Sequence, residues 1–107
     1  MDICETEDEV IVALELPGVR PEEIEVTQHE DRIIVRGLRR PHIPDRPKHF
    51  HQIEIVCGAF EKEIIMPPAL RGGRVEASLG LGILTLRVYK ADMQGASLET
   101  KIEIDSE

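Results

Sequence analysis

The sequence predicts an all-β sandwich, and three observations lead there. Apolar residues recur with period two in one segment after another, the alternation of a strand with one face buried. The apolar content is aliphatic: 41% of the chain is hydrophobic but only 3% aromatic, with no Trp, and a Val, Ile and Leu bias suits a pleated surface. Pro, Gly and Asp interrupt the alternation at short intervals, a spacing that permits seven to eight short strands in two packed sheets.

Size and charge narrow the class further. At 107 residues the chain has the length of one domain with a modest core, which an intertwined dimer would supplement. Thirteen basic residues against twenty-one acidic ones give a net charge of −8, which repels polyphosphate backbones and argues against nucleic acid as a partner. No apolar run approaches the roughly 20 residues that cross a bilayer, and the acidic start of the chain is unlike a signal or transit peptide. The expectation is a cytoplasmic protein without a membrane partner. Cys4 and Cys57 lack metal-ligand spacing and are too few for a disulfide framework, so they read as free thiols. The absence of Asn excludes N-glycosylation.

Residues 9–16 alternate cleanly and place Val10, Val12, Leu14 and Leu16 on one face, the first long strand. Pro17 and Gly18 stop it, and Pro21 followed by Glu22 and Glu23 suits a single helical turn with acids at its positive end. The two glutamates are adjacent in sequence, cannot face each other and read as solvated surface rather than a catalytic pair. Residues 24–29 and 32–38 form a hairpin around Glu30 and Asp31.

Residues 39–48 change character, with Pro41, Pro44 and Pro47 spaced three apart among charged residues and histidines. This is a loop; its spacing also suits polyproline II, for which no aromatic partner is evident. His42, His49 and His51 can be drawn as a metal site, but no further ligand stands at diagnostic spacing, and surface or interface histidines are the expectation. Ile53, Ile55 and Cys57, then Ile64 and Met66, supply more strand, ended by Pro67 and Pro68.

Residues 76–88 are the organising hairpin. Val75, Ala77 and Leu79 alternate before the turn, and Leu84, Leu86 and Val88 after it, with Gly80 and Gly82 as turn residues free of a Cβ cost. The glycine pair lacks the third glycine and following helix of a phosphate-binding loop. From residue 91 the pattern loosens into a tail expected to be flexible, in which Ile102 and Ile104 project to one side of Glu103 as a two-knob plug. A frayed terminal strand on its own domain is the alternative.

The same residues carry a family resemblance. Ala77, four residues and then Gly82-Ile83-Leu84 resemble the A-x-x-x-x-G-x-L signature of the small heat shock proteins, the α-crystallin (Hsp20) family, in its bacterial and plant-like type. Leu16-Pro17-Gly18 and Ile24-Glu25-Val26 are similar to its early elements, as are Phe50-His51-Gln52, Gly58-Ala59-Phe60 and Met66-Pro67 to its middle segment, and Ile102-Glu103-Ile104 to its I-x-I tail motif. The chain departs from the pattern at Tyr89-Lys90, where Pro-Lys is usual, and at Lys62, where Arg is usual. Family members also carry a variable N-terminal arm, whereas here the first strand is expected almost at Met1.

The resemblance implies an immunoglobulin-like sandwich over residues 1–90 and a C-terminal extension over 91–107. It implies an ATP-independent holdase that binds partly unfolded clients, with no cofactor. The dimerisation loop would hold Arg39, Arg40, His42, Ile43, His49 and Phe50, exchange a strand with a second copy and make a homodimer; the tail would build higher oligomers. A groove edged by Ile33 and Val35 on one side and by Ala77 and Leu79 on the other would receive Ile102 and Ile104 of a neighbour, or a client segment. The rival readings are a co-chaperone adaptor resembling CS domains and an assembly module without holdase activity. No nucleophile elbow, Walker loop or H-E-x-x-H motif is present, so the sequence gives no reason to propose an enzyme.

Overall fold

The computed structural model describes residues 1–41, 43, 46, 49–52, 57–90 and 100–106. Nine strands among them form two sheets: β1 (Asp2–Glu5), β2 (Glu9–Glu15), β3 (Ile24–Gln28), β4 (Arg32–Arg39), β5 (Gly58–Ile65), β6 (Val75–Gly80), β7 (Ile83–Tyr89), β8 (Thr100–Ile102) and β9 (Ile104–Ser106). One sheet runs β1-β2-β7-β6-β9 and the other β5-β4-β3-β8. The all-β sandwich expected from the alternation is the fold observed.

The alternation decides what is buried. In β2, Val10, Val12 and Leu14 turn inward and pair across the ladder with Val88, Leu86 and Leu84 of β7. In the facing sheet, Val26 pairs with Val35 and Gln28 with Ile33. Val12, Val26, Ile33, Val35, Leu84, Leu86 and Val88 are all 0% exposed, so the core lies where these two inner faces meet. Pro21–Glu23 forms the expected single turn, of 3-10 type. Ile64 and Met66 are buried as expected; Ile53 and Ile55 lie outside the described residues.

The β6–β7 turn falls at the expected glycines. Gly80 is paired with Ile83, so the two central residues are Leu81 (φ 53°) and Gly82 (φ 76°), both left-handed as a two-residue type I′ turn requires. Leu81 thus holds a conformation that its Cβ disfavours, and its side chain is fully exposed. At the other end of the hairpin, the backbone N–H of Tyr89 donates to Arg74 O at 2.9 Å, a bond that the more usual proline could not make. The Arg74 guanidinium lies 4.4 Å from the Tyr89 ring centre, and Lys90 Nζ donates to Glu5 Oε2 at 2.8 Å and to Thr6 O at 3.0 Å.

Candidate functional site

The site is the long side of the sandwich where β3 and β6, each the last strand of its sheet before the tail strands, come together. Both bring inward apolar residues to this opening: Ile24 and Val26 from β3, Ala77 and Leu79 from β6. The C-terminal residues cross it. β8 adds antiparallel to β3, pairing Ile102 with Val26, and β9 adds parallel to β6, pairing Ile104 with Ala77 and Ser106 with Leu79. Glu103 is the single residue between them, and there the chain passes from one sheet to the other.

Period-two geometry explains why this works. Ile102 and Ile104 lie two apart, so both point inward onto the core and are partly buried, while Glu103 is exposed. A cleft of about 470 Å³ remains beside them, lined by Pro21, Glu22 and Ile24 together with Ile102, Glu103, Ile104 and Asp105. At one end the spacing of the opening is set by Gln28, whose Nε2 donates to Gly73 O at 2.7 Å. Gln28 is buried and stands at the third inward position of β3 after Ile24 and Val26, so its amide reaches across the opening. Gly73 is itself constrained, because a Cβ there would lie 2.3 Å from Tyr89 O.

Sequence reasoning set the groove one strand too far inside. Ile33 and Val35 do not edge it: both are fully buried on β4, which is flanked by β3 on one side and β5 on the other. The strand that faces β6 across the opening is β3. Ala77 and Leu79 do lie on the β6 margin. Gln28 was missed, although a polar residue at an inward position of an otherwise apolar alternation was a signal for it. The tail, expected to be flexible, is in strands at residues 100–106; residues 91–99 lie outside the described residues.

The other candidate residues are elsewhere. Arg39 ends β4 opposite Gly58, with its Nε buried and no hydrogen-bond partner among the described residues. Arg40 is ion-paired to Glu23 at 2.8 Å. Ile43 and Phe50 are about half exposed, His49 is exposed, and His42 lies outside the described residues. Cys4 and Cys57 are both exposed. Among the described residues no group of three His, Cys, Asp or Glu is placed to hold a metal ion, and no helix is long and apolar enough to cross a membrane.

This arrangement has relatives. The sequence profile described as Hsp20/alpha crystallin family matches residues 2–105. The chain belongs to that family. It is similar to the spore protein SP21 of Stigmatella aurantiaca, 34% identical over 89 residues that cover 83% of this chain and 53% of the relative. It is also similar to the 18.1 kDa class I heat shock protein of Pisum sativum, 30% identical over 105 residues covering 97% of this chain and 66% of the relative. The chain therefore spans about half to two thirds of the length of these two curated relatives.

Among solved small heat shock proteins, heat shock protein 16.0 of Schizosaccharomyces pombe superposes with a TM-score of 0.77 at 26% identity, covering 89% of this chain and 75% of that one. A small heat-shock protein of Xylella fastidiosa, whose crystal structure shows a distinct high order structure, superposes with a TM-score of 0.76 at 26% identity, covering 87% and 85%.

Proposed function

We propose that this Hsp20-family chain is an ATP-independent holdase, without a cofactor and without catalytic activity, that binds extended apolar segments of partly unfolded proteins in the cleft between β3 and β6. The observation that carries this reading is the seating of Ile102 and Ile104 there, one on each sheet margin. Strand addition offers N–H and C=O partners to any backbone, and inward pockets accept alternate side chains, so recognition tolerates many sequences. Fully burying two isoleucines stabilises by about 3–6 kcal/mol gross, much of it offset by ordering the tail. Such an occupant exchanges readily, and an exchangeable occupant leaves the cleft open to competing client segments that would otherwise associate with one another.

The dimer we assign to exchange of the loop holding Arg39, Arg40, His42, Ile43, His49 and Phe50. In support, β1 pairs only with β2 among the described residues, and an open edge invites a further strand. Ile43 and Phe50 also expose large apolar surface on that loop. Reciprocal exchange gives a two-fold dimer, and tails docked on neighbouring copies would build larger assemblies through effective concentration. Residues 1–90 act as the body and 91–107 as the extension, in the cytoplasm.

The test is light scattering from a heat-labile client in the presence of the full chain and of its Ile102→Ala/Ile104→Ala variant, each sized by multi-angle scattering. Suppression of scattering by the full chain is expected, with stronger suppression by the variant if its own tail competes in the cleft. Two well-folded dimers that both leave aggregation unchanged would overturn the holdase reading and leave an assembly module.

A further inference from the structure

We infer that the sandwich has a second client-binding cleft, on the long side opposite β3 and β6, and that it takes extended segments with an apolar residue between two carboxylates, in the pattern acid-x-apolar-x-acid. The inference rests on the holdase reading of the chain, but neither on the β3–β6 cleft nor on the tail.

The two sheets end unevenly on that side. Counting from β6 and β3, β7 lies over β4, β2 lies over β5, and β1 has no strand opposite it among the described residues. Ile3 pairs with the fully buried Val12 and so holds an inward position, yet it is 56% exposed. A strand added to the free edge of β5 would cover it. A cleft of about 420 Å³ marks the place, and its lining includes Met1, Leu14, Leu16, Arg39, Phe60 and Lys62. Phe60 is its fixed floor, packed over Gly37, where a Cβ would lie 2.3 Å from the ring.

The cleft is positive, and its cations belong to the body of the sandwich. Arg39 follows Ile33, Val35 and Gly37 at the inward positions of β4, and Lys62 lies between Phe60 and Ile64 at those of β5. Neither has an ion-pair or hydrogen-bond partner among the described residues, and Arg39 Nε is sealed from solvent. Nearby carboxylates are engaged elsewhere or face away. Glu61 pairs with Arg36, Glu63 with Arg32 and Glu5 with Lys90, while Asp2 and Glu15 hold outward positions opposite Ala13 and Ile83. Of these only Glu15 reaches the rim, one carboxylate against two cations. The connecting residues 40–56 are no complement either, with Arg40, Arg46, Lys48 and three histidines against Asp45 and Glu54.

A partly desolvated cation without a counter-charge gains more from a carboxylate than an exposed one does. The register sets the pattern. Arg39 stands opposite Gly58, two residues before Phe60, and Lys62 stands two residues after it. On a strand beside β5, residues two apart share the inward face, so an acid reaches each cation while the residue between them meets Phe60. The pattern reads the same in both directions, so parallel and antiparallel addition both satisfy it.

The experiment titrates the full chain with labelled peptides by fluorescence anisotropy: Thr-Glu-Thr-Leu-Thr-Glu-Thr, and its counterpart with both glutamates replaced by glutamine. At about 20 mM salt the glutamate peptide should bind about fivefold tighter or more, against the repulsion of a chain whose net charge is −8. Arg39→Gln/Lys62→Gln should bring the two peptides within about twofold of each other, and Arg39→Lys, which keeps the charge, should retain most of the preference. Ile102→Ala/Ile104→Ala should leave the preference unchanged.

Equal affinities, tighter binding of the glutamine peptide, or a preference that survives Arg39→Gln/Lys62→Gln would overturn the inference. A glutamate peptide that does not bind would overturn it too; if Arg39→Gln/Lys62→Gln also turns dimers into monomers, the two cations serve a second copy of the chain instead. Loss of client protection in the scattering assay with the peptide preference intact would strike the holdase reading and leave this cleft as a peptide site.

Discussion

The body of the sandwich and the tail strands laid on it use the same backbone chemistry to different depths. β2 and β7 pair over seven residues, and their inward side chains are sealed from solvent; β8 and β9 are three residues each, and their two isoleucines are only partly buried. Hydrogen-bonded pairing alone contributes modestly in water, so the difference in burial decides which region is permanent. The body carries the sealed core, and the tail strands add to it through shallower contacts. For a protein proposed to work by exchanging occupants, that division matters more than the strand count.

The largest expected effect tests the body. Leu86→Ala removes a fully buried side chain between β2 and β6, and should lower stability by about 2–5 kcal/mol in denaturant unfolding. A loss below about 1 kcal/mol would mean that the body is as plastic as the tail, and the comparison would fail.

Gln28 lies where the two regions meet. Gln28→Met keeps the volume but leaves Gly73 O without its donor, and should cost about 1–3 kcal/mol. It should also weaken tail docking, because that bond fixes the spacing of the opening. A stability loss with hydrogen exchange along β8 and β9 unchanged would show that Gln28 serves the body alone.

Leu81 should give a gain. Asn tolerates the left-handed region better than Leu and suits the first position of a type I′ turn before Gly82, so Leu81→Asn should stabilise by about 0.5–1 kcal/mol. If stability rises while client protection falls, the exposed leucine serves binding and the function extends beyond the cleft.

The tail variant should move stability least. Ile102→Ala/Ile104→Ala should change the unfolding free energy by less than about 1 kcal/mol, since burial is partial and ordering entropy is regained. Amides along β3 and β6 should nevertheless exchange faster. A loss as large as that of Leu86→Ala would make the tail part of the core.

What the sequence revealed follows the same division. Strands of the body were legible because one face of each is apolar, and period two then assigns inward residues such as Val12, Val26 and Leu86 without knowledge of partners. Which strand forms the margin was not legible. β3 and β4 are two equally apolar arms of one hairpin, and only the long-range choice of β5 to pair with β4 leaves β3 facing β6. The tail strands were legible only as the alternative reading, a terminal strand on its own domain, because their sequence carries few apolar residues and becomes strand only against edges supplied elsewhere. The glycine pair located the turn at residues 80–83, and only the register of the flanking strands places Leu81 and Gly82 at its centre.

The smallest effect tests whether body and tail are independent. Asp31 closes the β3–β4 hairpin, and its carboxylate is held below the ordinary Asp value chiefly by the hydrogen bond from Arg32, whose guanidinium it raises in turn and which also pairs with Glu63. Because the folded pKa is depressed, the pair's contribution is present above the unfolded Asp value and is lost as pH falls through the lower, folded value. The pair is exposed and screened by solvent, so its effect on stability is small and the titration itself is the better readout. Followed by NMR, the Asp31 carboxyl should titrate below 3.8 in the full chain and with the same midpoint in the Ile102→Ala/Ile104→Ala variant. A midpoint that rises when the tail is released would show that the hairpin senses occupancy of its own outer strand, and the body would then have to be described as responding to what it binds.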